Sequence, residues 1–233
     1  MAKASRRRPL TLDDLKVKEK VENNVLISQV HAENKTLKGL PEDVIDSYQM
    51  ASLYGNRIFD SSKWLLKSLP DGMPKPCRLL DVGCLKPSYT KIKWIQPTYI
   101  DLHPKHPSVR KADLLEYNDE AGFDVVCLAL VLNFAGCYKA RFQMLRKARF
   151  LLKEGGYLFV VLPRACMMNS RFMTVDYFEK LLQYVGFTGY VKSHLSNKLF
   201  FCLVKKTNLE CSGTCPEQPN LVINGGNNFK IKP

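Results

Sequence analysis

The residues able to do chemistry in this chain are a glycine and a set of carboxylates placed at the ends of apolar runs. Arg78-Leu79-Leu80-Asp81-Val82-Gly83-Cys84 reads as a buried strand that enters a ligand-binding turn. Gly83 admits a ligand to the backbone with no side chain between, and the amides of its neighbours can bond a carboxylate. Asp101 ends the next extended run, where an acidic side chain can accept the hydrogens of both ribose hydroxyls. Asp113 follows a further short extended run and can bond an adenine amino group, with Leu114 packing on the ring. Each position alone fits an ordinary strand-end turn; together they point to a nucleoside-like ligand.

Other chemistries find less support. Gly83-Cys84-Leu85-Lys86 lacks the later glycines of the dinucleotide fingerprint G-x-G-x-x-G. His103 and His106, in His-Pro-Lys-His-Pro, form one pair of metal-ligating types, and Cys211 and Cys215 form another. Neither pair supplies four ligands, so no metal is expected. Cys84, Cys127 and Cys202 lie inside apolar runs as small hydrophobes, which fits a reducing compartment and gives no cysteine nucleophile.

These residues need strands to carry them, and strands are predicted near Leu79–Gly83, Thr98–Leu102, Phe123–Leu130 and Tyr157–Leu162. A helix over Tyr138–Leu152 aligns Phe142, Leu145, Ala148 and Leu152 in one stripe and is expected to stop at Glu154-Gly155-Gly156. A second covers Thr174–Tyr184 and ends at Gly186. The alternation predicts an α/β fold with a mostly parallel sheet. The last strands, near Phe187–Ser193 and Leu199–Lys205, are joined through Leu195-Ser196-Asn197, too short a link for a parallel crossover, so they should pair antiparallel. A parallel sheet closed by an antiparallel terminal hairpin resembles the Rossmann-like, seven-stranded fold of class I methyltransferases that use S-adenosylmethionine. The crossover from Gly83 to Tyr99 departs from that class, since Pro87 and Pro97 leave room for little more than one helical turn.

Upstream, residues 1–40 read as a basic arm, with Lys3, Arg6, Arg7 and Arg8 followed by a helix from Thr11 to Asn34, and residues 41–233 as the main domain. A second helical segment is predicted over Glu42–Leu69, with a break near Gly55. No apolar run is long enough for a membrane span and no secretory signal is evident, so a soluble intracellular chain is expected. The chain has 233 residues, 45% of them hydrophobic, and a formal charge of +13 that suits a polyanionic partner. Candidates for phosphate contact are Arg146, Lys147 and Arg149, within a helix that also carries Lys139, Arg141 and Lys153, together with Arg164 and Arg171 beyond a strand end. A solvated helix face is the alternative.

A narrower resemblance follows from Leu79-Leu80-Asp81-Val82-Gly83-Cys84-Leu85, Ile100-Asp101-Leu102 and Leu130-Val131-Leu132-Asn133-Phe134, which are similar to the fungal nucleolar large-subunit (25S) ribosomal RNA adenine-N1 methyltransferases. Tyr48-Gln49-Met50-Ala51-Ser52, Leu162-Pro163, Asn169-Ser170-Arg171 and Asn227-Asn228-Phe229 match that family's blocks in the same order, so the resemblance covers roughly residues 40–233. It implies that Gly83 and Asp101 contact S-adenosylmethionine, with Asp113 and Leu114 at the adenine and Gln49 closing the site. It further implies a returning strand over Asn227–Ile231, a nucleolar location, a ribosomal RNA or pre-ribosomal substrate and action as a monomer. The Asn/Asp-Pro-Pro-aromatic motif of many amino-group methyltransferases is absent, which argues against an N6 mechanism and leaves Asn133 the catalytic candidate, with a plain loop-bonding role as its alternative. Two other readings stay open. Animal proteins similar to this family bind the cofactor as nutrient-signalling sensors without transferring a methyl group, and a decayed methyltransferase fold could serve simply to bind RNA.

Overall fold

The computed structural model describes residues 61–208 and 213–233. The N-terminal arm and helix, the domain boundary at residue 40, Gln49, the break at Gly55 and Cys211 lie outside the described residues. Of the second helical segment, the described part is α1 (Ser61–Ser68).

Seven strands form one sheet: β1 (Cys77–Val82), β2 (Ile95–Asp101), β3 (Arg110–Lys111), β4 (Phe123–Ala129), β5 (Leu152–Pro163), β6 (Lys192–Leu195) and β7 (Leu199–Lys205). Their order is β3-β2-β1-β4-β5-β7-β6. The first five pair in parallel, and β7 pairs antiparallel with both β5 and β6. The runs read as central strands are apolar on both faces because both faces are covered. Leu80, Val82, Val126, Leu128, Leu158 and Val160 meet α2 (Tyr138–Leu151) and α4 (Val175–Val185) on one side. Leu79, Val125, Cys127, Phe159 and Phe201 meet α1 and the β1–β2 crossover on the other. There Trp64 of α1 stacks on Phe159 and Phe201 at centroid distances of 5.5 and 5.4 Å.

The crossover between β1 and β2 holds no helix. It is pinned by aromatic groups: the Tyr89 amide donates to the Tyr99 hydroxyl at 3.0 Å, and Thr90 contacts the same hydroxyl. Helix α4 starts at Thr174, whose hydroxyl accepts the Tyr177 amide, and stops at Gly186 in the left-handed region.

Four details differ from the sequence expectation. Gly155-Gly156 does not stop α2; the helix ends at Leu151, and Leu152 turns directly into β5 because its buried side chain pairs with Phe123. The two glycines form an irregularity in the ladder between Phe123 and Val125. The short helix α3 (Arg164–Met168) follows β5 unannounced by any apolar period. Strand β6 spans Lys192–Leu195 rather than Phe187–Ser193; the preceding stretch still meets the β7 end through a Phe187–Lys206 bridge and the Thr188 and Val191 amides, but Glu179 of α4 accepts the Tyr190 amide at 2.7 Å and interrupts a regular ladder there. Residues 227–231 do not form a strand. They make one bridge, Asn227 to Ser170, and dock through Phe229 and Ile231, because helices rather than an open sheet edge receive them.

Candidate functional site

The carboxyl ends of the parallel strands gather the predicted site residues in spatial order. Gly83 follows β1, Asp101 ends β2 and Asp113 follows β3. At about 4.8 Å between strands, they lie along roughly 10 Å, the reach of a nucleoside bearing a short side chain. On the far flank of Gly83, strand β4 ends and the chain enters a one-turn 3-10 helix, Leu132–Phe134.

Gly83 adopts φ +70°, and a Cβ built there would stand 2.8 Å from Cγ2 of Val131. The position therefore excludes a side chain on both conformational and steric grounds. Its amide and that of Cys84 both donate to the Ile100 carbonyl, at 2.8 and 3.2 Å. The expectation that neighbouring amides bond a ligand carboxylate is thus corrected for Cys84, because the helix-free crossover folds this amide back onto β2. Asp81, next to the turn, receives the Cys84 thiol, and burial pushes its carboxyl up to about 7. The same burial raises the Cys84 thiol, ahead of the influence of Asp81.

Asp101 is held by the His103 amide, which donates to its Oδ1 at 2.7 Å, and burial raises its pKa against that bond. Asp113 makes a tight turn in which its Oδ1 accepts the Leu115 amide at 3.0 Å. Leu114 is 3% exposed within the core, so it supports that turn from beneath and offers no open face to an adenine ring. A cradle closed to any Cβ, a fixed carboxylate on the adjacent strand and a second one beyond it fit a nucleoside cofactor.

Asn133 is 7% exposed, and neither its Oδ1 nor its Nδ2 has a hydrogen-bond partner among the described residues. Among the described residues the amide bonds no loop backbone. Leaving both atoms unpaired costs about 1–3 kcal/mol each. Just before it, Leu130 adopts φ 59°, a left-handed conformation rare in non-glycine residues.

Arg141 explains how this turn is held, and sequence reasoning had counted it among the surface cations. Its side chain is buried; Nε donates to the carbonyls of Leu132 and Ala135, and Nη1 donates to that of Lys230. The guanidinium also lies 4.5 Å from the Phe229 ring centroid. Its spacing to Leu145 and Ala148 on the apolar stripe was the available signal. Lys230 was likewise missed; its ammonium lies over the rings of Tyr138 and Phe172 at 4.8 and 5.1 Å.

The five cations assigned to RNA divide by position. Helix α2 runs from the end of β4 back to the start of β5, so its later turns lie toward the edge away from the site. Arg149 is corrected to a structural role, because its guanidinium donates to the carbonyls of Gly186 and Thr207. Lys147 donates to Asn118 at 2.8 Å, and Arg146 is exposed. Arg164 and Arg171 stand on the site edge, where Arg171 donates to Asn228 at 2.9 Å. Among the described residues, no group of three or more His, Cys, Asp or Glu is placed to hold a metal ion, and no helix is long and apolar enough to cross a membrane.

Residues 29–231 match the family model described as 25S rRNA (adenine(2142)-N(1))-methyltransferase, Bmt2. A Saccharomyces cerevisiae protein named 25S rRNA (adenine(2142)-N(1))-methyltransferase is 32% identical over 209 residues, which cover 80% of this chain and 59% of that protein. A Schizosaccharomyces pombe protein named 25S rRNA adenine-N(1) methyltransferase is 33% identical over 178 residues, covering 68% of this chain and 65% of that protein. The chain thus spans less than two thirds of the length of both relatives. Among solved structures, an S-adenosylmethionine-dependent methyltransferase from Clostridium acetobutylicum shares the fold with TM-score 0.54 at 13% identity, over 69% of this chain and 98% of that one.

Proposed function

The chain belongs to the 25S rRNA (adenine(2142)-N(1))-methyltransferase family, and from that premise we propose that it methylates N1 of an adenine in large-subunit ribosomal RNA with S-adenosylmethionine as donor. The observation that carries the reading is the buried, unpartnered amide of Asn133, on the β4 side of Gly83 and away from the carboxylates of β2 and β3. Asp101 would accept the ribose hydroxyls, Asp113 the adenine amino group, and the Gly83 turn would admit the amino-acid end of the cofactor. Bound there, the cofactor supplies a methyl group on a positively charged sulfur.

Adenine N1 carries a lone pair at neutral pH, so no base must remove a proton before attack. The N1–carbon bond forms as the carbon–sulfur bond breaks, the bonding pair goes to sulfur, and the positive charge moves to the base. The protein's contribution is position: the adenine must leave its stack, water must be excluded, and N1 must lie in line about 3 Å from the methyl carbon. Asn133 would orient the base, with Arg141 fixing both ends of its turn. Arg164, Arg171 and Lys230, on the same edge, would meet the RNA backbone. A ribosomal RNA substrate makes the nucleolus the expected place of action, on free RNA or a pre-ribosomal particle, with the protein acting as a monomer.

The test is transfer of labelled methyl from S-adenosylmethionine to large-subunit RNA from cells lacking the protein, with the product mapped as N1-methyladenosine by a primer-extension stop. Cofactor binding with no label on any RNA adenine would refute the enzyme and leave the sensor reading.

A further inference from the structure

We infer that the C-terminal segment completes a phosphate track along the site edge, running from Lys198 through Arg164 and Arg171 to Lys230, which takes the unpaired RNA strand leading to the target adenine. This rests on the proposed function and deepens it by naming the form of RNA at the site and the wall that holds it.

The track is continuous in contacts. Pro163 pairs with Leu199, so the β6–β7 turn stands at the carboxyl end of β5, and the Arg164 amide donates to the Lys198 carbonyl there at 2.8 Å. Asn227 Nδ2 donates to the Ala165 carbonyl at 2.8 Å, its amide donates to the Asn169 carbonyl, and its carbonyl accepts the Arg171 amide. The Arg171 guanidinium reaches Asn228, and the Lys230 ammonium lies over Phe172 and Tyr138. Tyr138 opens α2, directly after the β4 turn that flanks Gly83. The file of cations therefore ends at the site itself.

The partners of these cations are neutral. Arg171 bonds an amide, Lys230 rests on two rings, and among the described residues none of the four pairs with Asp or Glu. Three ion pairs, Arg78–Asp119, Lys153–Asp124 and Lys206–Glu154, neutralise the opposite edge, where β1 and β5 begin and β7 ends. Residues 163–175 and 218–233 contain no acid, and Asp176, which follows the first stretch, is taken up by Lys180 at 2.9 Å. Charge left uncompensated along one edge is complementary to a polyanion. One file of cations suits one strand, and the chemistry requires the same: N1 is a base-pairing atom of adenine, so a base open to methylation lies in unpaired RNA. Ser170, Arg141 and Tyr177 hold the tail by the carbonyls of Phe229, Lys230 and Ile231, so the Lys230 ammonium can leave its rings for a phosphate while the backbone stays docked.

The experiment measures binding of the full chain to a labelled single-stranded oligoadenylate by fluorescence anisotropy over a range of salt, with the same strand annealed to oligouridylate as the duplex. The wild type should prefer the single strand. Lys198→Ala, Arg171→Ala and Lys230→Ala should each reduce the slope of log affinity against log salt by about 0.7–1, the share of one phosphate contact. Lys230→Arg should restore the slope, and Lys205→Ala, at the opposite edge, should leave it unchanged. Unchanged slopes in the three alanine variants would overturn the inference, as would an equal fall in Lys205→Ala or a preference for the duplex. Methyl transfer to ribosomal RNA separates the two readings. Transfer by a wild type whose variants keep its slope refutes the track and leaves the enzyme standing, whereas no transfer to any RNA adenine removes the proposed function and this inference with it.

Discussion

Gly83→Ala adds a Cβ at the point where the strand end, the β4 turn and the proposed cofactor converge, and its cost separates into parts. The φ of +70° is a left-handed conformation that costs a non-glycine residue about 1–2 kcal/mol. The new carbon would stand 2.8 Å from Cγ2 of Val131, so Val131 must turn or shift, an overpacking worth about 1–3 kcal/mol. The sum, about 2–5 kcal/mol, lowers the melting temperature by about 4–20 °C for a chain of this size. Val131→Ala removes the obstructing methyl groups, so Gly83→Ala made in that background should retain the backbone cost alone. Thermal melts of the four proteins form a double-mutant cycle, with an expected favourable coupling of about 1–3 kcal/mol. Calorimetric titration with S-adenosylmethionine then asks what the glycine is for. If the ligand approaches the backbone here, affinity falls at least tenfold in the single and the double variant alike, because the Cβ remains. Recovery of affinity together with stability in the double variant would refute that reasoning and reduce Gly83 to a packing partner of Val131.

Three further outcomes follow from the same contacts. Asn133→Ala removes an amide that pairs with nothing in the described fold, so relief of the cost of its two unpaired atoms should offset the lost packing and leave the melting temperature unchanged or raised, while single-turnover methyl transfer drops; a large loss of stability would show that the amide serves the fold. Burial lifts the Asp81 carboxyl from 3.8 to about 7, so the folded chain holds its proton more tightly than the unfolded chain. Stability should therefore decline as pH rises from about 4 to 7 and level off above, and Asp81→Asn should flatten that slope in pH-dependent melts, leaving the part due to Asp101, whose shift has the same sign. Arg149→Ala should cost about 1–2 kcal/mol in thermal melts yet leave the salt dependence of RNA binding unchanged, whereas Arg164→Ala should reduce the slope of log affinity against log salt by about 1.

The central strands and the helix-free crossover were legible because their causes are local. A parallel strand covered on both faces must be a continuous apolar run, as Phe123–Ala129 is. Pro87 denies the crossover a long helix, and Pro97 falls inside β2, which starts at Ile95 and leaves the crossover shorter still. Long-range pairings were not legible. The interruption of the ladder ahead of β6 depends on Glu179 of α4 capturing the Tyr190 amide, and the irregular docking of residues 227–231 depends on Ser170, Tyr177 and Arg141 bonding the carbonyls of Phe229, Ile231 and Lys230. None of these partners is near its target in sequence. Arg149 looks like its neighbours Arg146 and Lys147 until the chain folds, since an arginine with a structural role differs from a solvated one only in having carbonyls to bond, whereas Arg141 keeps the spacing of the apolar stripe.

That arginine bears on why the least favourable conformations of the described domain can persist beside one another. Leu130 in the left-handed region costs about 1–2 kcal/mol, and the two unpaired atoms of Asn133 cost about 1–3 kcal/mol each. Strain of this size survives where the surroundings over-determine it. Here the Leu130 amide is held by the Val161 carbonyl at 2.9 Å, and the guanidinium of Arg141 bonds both flanks of Asn133. Both carbonyls share the single Nε–H, and a bond from a charged donor contributes about 1.5–3 kcal/mol, so Arg141 offsets part of the cost of the turn. Its remaining bond goes to Lys230, which makes the C-terminal segment part of the same support. The stability lent by the tail is thus applied at the turn that carries the unsatisfied amide, so the region with the weakest secondary-structure signal in the sequence supports the strand-end turn beside Gly83.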